Sequence, residues 1–358
     1  MEMMADCIFQ ILAPSDDAFN KIPYTSLNEA FQNNDETVIT NILEYHILQG
    51  QRMAADLIPG TPVFIATLLT DPSYTNVTGG QMVGNVKQAG DVVVLTSGQG
   101  SRSTVVIKDL SFTGGVVQVI DSLLVPPTGF PETAQAFNFT SYEGATYATN
   151  KTDNITYTKD LTLLVPQNQA FLALGPAISS MTSDQLAQVV DYSIIPELLY
   201  STSLTNGSHF KTLQGGNITI LHVGNNMYIN SAQVLTTDIL IANGVIHVID
   251  NVLNPQGPGA QPNPVIPSQA PVFASASQVN SIPFTSALPC TTNCPITSTS
   301  AASASGTAGV SGASGAGATS TTSVSTRTSS GRAAAMAQET GLRAAGLMAA
   351  IGGAVFMI

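Results

Sequence analysis

Two nine-residue stretches decide how the chain is read: Ile11-Leu12-Ala13-Pro14-Ser15-Asp16-Asp17-Ala18-Phe19 and Leu163-Leu164-Val165-Pro166-Gln167-Asn168-Gln169-Ala170-Phe171. In each, an apolar run stops at a proline, which cannot continue a β-ladder, and so predicts a strand end. Polar residues then precede Ala-Phe. In the first copy, Ser15-Asp16-Asp17 predicts a helix cap, with Ala18 and Phe19 among the helix's apolar positions.

The similarity extends outward in the same order. Asn41-Ile42-Leu43-Glu44-Tyr45-His46-Ile47-Leu48 echoes Gln188-Val189-Val190-Asp191-Tyr192-Ser193-Ile194-Ile195. It reads as a helix end carrying Ile42, Leu43, Tyr45 and His46 towards the core. Gly115-Val116-Val117-Gln118-Val119-Ile120-Asp121 echoes Gly244-Val245-Ile246-His247-Val248-Ile249-Asp250, and both predict a closing strand. The offsets are 152, 147 and 129 residues, so the first copy holds about 20 extra residues before its last motif. A period this long means tandem domains, not a solenoid. Between the motifs, the β-branched runs Asp91–Leu95, Thr104–Ile107 and Asn217–Leu221 alternate with turn residues. Helices mixed with short strands predict an α+β fold.

Together the three blocks resemble the fasciclin-like domain family. Ile11 to Phe19 is similar to its opening block, Tyr45-His46 to its central pair, and Gly244 to Pro255 to its closing block. The resemblance covers residues 1 to about 256. It implies two tandem fasciclin-like domains, 1–128 (truncated at its start) and 131–256, each a β-sandwich wedge with packed helices. It also implies non-catalytic cell adhesion or wall and matrix organisation. Expected partners are a surface or wall glycoprotein or polysaccharide, with homophilic pairing left open.

In animal members of the family, an Asp-Ile pair just before the last strand is linked to partner recognition. The matching positions are Asp109-Leu110 and, more closely, Asp238-Ile239, although Thr236 and Thr237 lack the positive charge found beside some family versions. The structural alternative makes Ile239 core and Asp238 a turn cap. It carries more weight, because apolar residues beside strands usually pack. Tyr45 and His46 are candidate partner-binding residues on the same resemblance. For His46 the structural alternative is a buried imidazole bonded to backbone, and the second copy has Ser193 there.

Composition sets the compartment. The 358 residues are 9% charged, against roughly 25% in ordinary soluble domains. The net charge of −12 argues against nucleic acid or an anionic membrane surface as partner. With 6% aromatic residues, four His, three Cys and no Trp, no metal-rich site, aromatic carbohydrate platform or disulfide framework is expected. Cys7 is expected in a core, whereas Cys290 and Cys294 could close a small loop. Gly-x-Ser-x-Gly and His-Glu-x-x-His are absent, so no catalytic residue, metal ligand or cofactor is assigned.

N-glycosylation sequons begin at Asn76, Asn138, Asn150, Asn154, Asn206 and Asn217. Residues 257–330, Pro-rich and then Ser/Thr-rich, are expected to be a disordered stalk, O-glycosylated or a plain linker. Residues 331–358 read as a signal for a glycosylphosphatidylinositol membrane anchor. Small residues precede a polar spacer, Arg332 to Arg343, and an apolar tail, Ala344 to Ile358. Ser329 or Ser330 is the expected attachment point, with Ala333-Ala334-Ala335 as an alternative. The expected location is therefore the outer face of the plasma membrane or the cell wall. Two rival classes are a lumenal protein of the vacuolar or secretory membrane and an uncharacterised carbohydrate-active enzyme. Met1 to Gln10 offers no signal-peptide core, and residues 131–160 precede the second copy's first strand where the first copy has only ten. The chain as written is expected to lack its natural beginning.

Overall fold

The computed structural model describes residues 9–25 and 27–289. Cys7, Cys290, Cys294, the Ser/Thr tract, Ser329, Ser330 and the apolar tail lie outside the described residues.

Domain 1 holds β1 (Phe9–Pro14), α1 (Asp16–Asn20), α2 (Asn28–Asn33), α3 (Glu36–Tyr45), β2 (Ile47–Gln49), β3 (Val63–Ala66), β4 (Met82–Lys87), β5 (Val93–Thr96), β6 (Arg102–Phe112) and β7 (Gly115–Ile120). Domain 2 opens with α4 (Phe130–Ala136), α5 (Thr140–Ala148) and α6 (Thr152–Tyr157). It then repeats the plan with β8 (Leu161–Pro166), α7 (Asn168–Leu174), α8 (Pro176–Ser179), α9 (Ser183–Tyr192) and β9 (Ile194–Ile195). Its last strands are β10 (His209–Lys211), β11 (Asn217–Val223), β12 (Asn226–Ile229), β13 (Ala232–Ile241) and β14 (Gly244–Ile249).

The first sheet runs β2-β1-β7-β6-β5-β4-β3 and the second, read from its other edge, β9-β8-β14-β13-β12-β11-β10. These are the same order. The first and last motifs of each copy are neighbours in space, because β1 pairs in parallel with β7 and β8 with β14. Gly115 and Gly244 open those closing strands where a Cβ would collide with Phe9 O and Leu161 O, so the glycine permits the pairing. Each wedge is one sheet curled on itself. Leu68 N donates to Ile47 O (2.9 Å) and Leu213 N to Ile194 O (2.8 Å), drawing the two edges together. Leu12, Leu48, Val83, Leu95 and Ile120 fill the first interior, and Leu164, Ile195, Ile218, Ile229 and Ile249 the second.

Local chemistry sets the helices. Ser15 Oγ accepts from Ala18 N at 3.3 Å, and Asp35 Oδ1 from Val38 N at 3.1 Å. Thr182 and Gln185 form a reciprocal capping box at the start of α9. Ile42 and Tyr45 face inward as expected, but Leu43 is 54% exposed, since neighbouring residues diverge by about 100° around a helix. Phe19 also lies at the surface.

One expectation needs correction. Residues 257–289 lie against domain 2 as a strap, where disorder was expected. Val279 N donates to Leu172 O (3.0 Å), and Asn251 and Asn254 side chains donate to Ala270 O (2.7 Å) and Val272 O (2.8 Å). Phe284 meets Phe171 edge to face and passes so close to Gly144 that a Cβ there would strike its carbonyl. The stretch is Pro-rich and sparse in large apolar residues, yet Phe273, Ala276 and Phe284 pack, partly buried, against a core that the helices of domain 2 already form.

Candidate functional site

The Asp-apolar pairs sit inside the penultimate strands, at a bulge, and not immediately before the last strand. The β6–β7 register shifts between Val105, Ile107 and Leu110, and the β13–β14 register shifts between Val234, Thr236 and Ile239. Asp109 and Asp238 occupy these bulges with φ of 57° and 63°. Aspartate tolerates this left-handed conformation because its side chain can bond nearby backbone.

Both carboxylates are engaged. Asp109 Oδ1 accepts from Ala54 N (3.0 Å) and from Gln118 Nε2 (2.6 Å), while Asp109 N donates to Gln118 Oε1 (2.9 Å). In domain 2, Asp238 Oδ1 accepts from Ser201 N (2.8 Å), and Asp238 N donates to His247 Nδ1 (3.3 Å). His247 Nε2 then donates to Leu199 O (2.8 Å), which sets its tautomer. Burial lowers the His247 pKa, with the Asp238 charge opposing. The apolar partners differ sharply. Ile239 is 4% exposed and belongs to the core, whereas Leu110 is 46% exposed, beside exposed Val106, Ile107 and Phe112.

Tyr45 and His46 are both buried. Tyr45 Oη donates to Met82 O (2.9 Å). His46 Nδ1 donates to Ile42 O (2.7 Å), and its Nε2 accepts from Leu124 N (2.9 Å), joining the end of α3 to the segment after β7. Burial lowers the His46 pKa, partly offset by the Ile42 bond. The pair therefore does not share a surface with Leu110. Asn76, Asn138, Asn150, Asn154, Asn206 and Asn217 are all exposed.

A junction between the domains went unread in the sequence. Asn76 N and Thr75 Oγ1 donate to Ala242 O (2.7 and 3.1 Å), and Gln81 Nε2 donates to Ile241 O (3.2 Å). Thr78 N and Oγ1 donate to the two carboxylate oxygens of Asp160 (2.8 and 2.5 Å). Phe64 stacks on Tyr200 at 4.0 Å, over Leu240 and Val245. Burial raises the Tyr200 pKa, and its hydroxyl has no hydrogen-bond partner among the described residues. The signal was the drop in repeat offset. Most of the extra residues of the first copy form the loop 67–81, against 212–216 in the second, and that loop makes the junction.

Among the described residues, no group of three or more His, Cys, Asp or Glu side chains is placed to hold a metal. Also among them, no helix is long and apolar enough to cross a membrane.

Two like-folded sheets with matching bulges, joined through a dedicated loop, define a tandem-module protein. The Fasciclin domain model matches residues 7–126 and 137–255, and the chain belongs to that family. It is 34% identical over 267 residues to a fasciclin-like arabinogalactan protein of Arthroderma benhamiae, covering 74% of this chain and 63% of that protein. A fasciclin-like arabinogalactan protein of Cercospora beticola is 29% identical, over 54% of this chain and 53% of its own length. Human periostin is 28% identical over 69% of this chain and 28% of its own. The chain thus spans less than two thirds of these relatives. A solved FAS1 domain pair from the insect cell adhesion molecule fasciclin I aligns over 70% of this chain and 89% of its own, with 18% identity and a TM-score of 0.36.

Proposed function

We propose that the protein is a non-enzymatic surface adhesion or wall-organising protein. In this reading, tandem fasciclin domains bind a glycoprotein or polysaccharide of the wall or matrix, or a second copy, and residues 331–358 direct attachment to a membrane lipid. The observations that support it are the tandem arrangement of two like-folded modules joined through the loop 67–81 and the exposure of all six sequon asparagines. The name of the fungal relatives, fasciclin-like arabinogalactan protein, agrees with a carbohydrate-bearing surface protein.

Adhesion by such modules would be weak per molecule and multiplied by display. Linking copies can raise avidity by about 10²–10⁴ without new contacts. Clustered protein should therefore hold to wall fragments where monomer does not; equal adhesion by monomer and cluster would refute the reading. Asp238→Ala tests the second bulge separately, and unchanged clustered binding would leave Asp238 a purely structural residue. Anchoring is tested by phosphatidylinositol-specific phospholipase, which should release the full-length product from cells. Ala349→Arg should prevent surface retention, because a charge mid-tail costs about 2.5–3.5 kcal/mol on insertion.

A further inference from the structure

At the junction lies a cleft of about 510 Å³, bounded by Leu27, α3 and residues 72–76 on one side and by residues 125–129, α4, α6 and Ala242-Asn243 on the other. This is within the range of about 300–1,000 Å³ that holds small-molecule-sized ligands. Its lining mixes apolar faces with hydrogen-bonding groups: Tyr74, Tyr157 and Pro127 with Glu132, Thr128 and Asn243. Tyr157 is 75% exposed, and no aromatic ring among the described residues stacks on it. Asn243 is fully buried and spends its amide hydrogens on Ile155 O and Thr158 O (both 2.6 Å), leaving Oδ1 unpaired among the described residues. An open tyrosine face beside acceptor groups is the chemistry that receives a sugar ring, whose C–H face packs on an aromatic ring while its hydroxyls bond at the edge.

The cleft has its own source of sugar. Asn76, the first residue of the sequon Asn76-Val77-Thr78, lines it. We propose that the cleft is a saccharide site, filled by the inner N-acetylglucosamine rings of a glycan on Asn76. The proposal rests on the secretory route inferred above. In the transfer, a bond forms between Asn76 Nδ2 and the anomeric carbon of the first sugar. The bond from that carbon to its lipid-pyrophosphate carrier breaks, the carrier leaves with the electron pair, and Nδ2 gives up one proton. The amide keeps its second hydrogen, so the Asn76 Nδ2 bond to Tyr157 O (2.8 Å) can persist and fix the amide plane, with the glycan leaving from the other position on the nitrogen.

Order of synthesis permits this. In the folded protein the Thr78 hydroxyl is tied to Asp160, 82 residues downstream. The sequon is modified before that lock closes, and domain 2 then folds against the sugar. The glycan becomes a third surface between the domains. The other five sequon asparagines are not among the cleft's lining residues.

The test uses the full chain secreted from a eukaryotic host, digested in its native state with an endoglycosidase that cuts within the inner chitobiose, and read site by site by glycopeptide mass spectrometry. The Asn76 glycan should survive at least tenfold longer than those on Asn150, Asn154 and Asn206, and lose that protection on denaturation. Tyr157→Ala, at an exposed position, should leave Asn76 occupied but cut at the rate of the other sites. Cleavage of native Asn76 at the common rate, or an empty Asn76 beside occupied sites, overturns the proposal. If no sequon is occupied, the secretory reading falls with it. A separate arm adds free chitotriose to Asn76→Gln protein. Saturable binding there, lost on adding Tyr157→Ala, supports the cleft as a site for N-acetylglucosamine rings; no binding overturns it.

Discussion

The two domains share strand order and bulge, and differ in what covers the sheet. In domain 2, Leu161, Leu163, Val165, Ile239, Ile241, Ile246 and Val248 lie beneath Phe130, Phe139, Tyr142 and Phe171, all in one core. The corresponding residues of domain 1 are Phe9, Ile11, Ala13, Leu110, Phe112, Val117 and Val119, and every one of them is half-buried or exposed. Covalent pattern alone makes both faces apolar. Whether a face becomes core depends on other segments: α4 and α5 precede the second sheet and cover it, and among the described residues nothing equivalent covers the first.

The largest effect expected from this contrast is at the paired positions Ile239 and Leu110. Ile239→Ala should cost about 2–5 kcal/mol, because it removes packed methyl groups and leaves a cavity. Leu110→Ala should change stability by no more than about 0.5 kcal/mol, as for most surface positions. Since the domains share a junction, amide hydrogen exchange is the suitable measurement: protection should fall in domain 2 for the first variant and stay constant in domain 1 for the second. Equal losses would mean that the face at Leu110 is covered in solution.

Next in size is the strap, present only on domain 2. Phe284→Ala removes the ring that meets Phe171 and should cost about 1–3 kcal/mol, less than a fully buried phenylalanine would. Denaturation midpoints of the full chain and this variant measure it, and exchange should rise in α5 and α7 but not in β1 to β7. An unchanged midpoint would return residues 257–289 to the status of a passive stalk.

Much of this was legible in the residues, and the failures have physical causes. The three repeated motifs are elements that pair with or lead into one another along one side of each sheet, so their spacing survives as pattern: β1 beside β7, and α3 leading into β2. Of the junction only the extra length of the first copy showed, because Thr75, Thr78, Gln81 and Asp160 act singly, across long sequence separations, through hydrogen bonds any polar residue could make. The strap was misread for a related reason. Phe273 and Phe284 are too sparse to show periodicity, and their burial depends on surfaces built elsewhere, by α8 and α9 for the first and α5 and α7 for the second. At the candidate site, Asp109-Leu110 and Asp238-Ile239 were located by resemblance, but the exposure of one apolar partner and burial of the other follow from the missing and present cover.

The smallest effect concerns protons, and it uses a reciprocal exchange between the copies. Domain 1 has His46 where domain 2 has Ser193, and domain 2 has His247 where domain 1 has Gln118. Both histidines are buried, and burial lowers both pKa values. The unfolded chain titrates near 6.5. Between that value and the lower folded one, the unfolded state binds more protons, so stability is lost as pH falls below about 6.5 and is unaffected above it. One such group can contribute at most about 1.4 kcal/mol per pH unit. At His247 the Asp238 charge and the Leu199 bond oppose burial, as the Ile42 bond does at His46. His247→Gln places in domain 2 the side chain that already serves the bulge of domain 1, where Gln118 both donates to Asp109 Oδ1 and accepts from its N–H. That variant should match the parent within about 1 kcal/mol at pH 7.5 and be the more stable of the two relative to that baseline at pH 5. His46→Ser should behave differently, since Leu124 N–H loses its acceptor and a buried unpaired donor costs about 1–3 kcal/mol at every pH. Urea midpoints of parent and variants at the two pH values decide it, because carboxylate titrations common to all three cancel in the differences. A His247→Gln protein as acid-sensitive as the parent would show that His247 takes up no more protons on unfolding than in the fold, and would leave His46 as the source of the acid response.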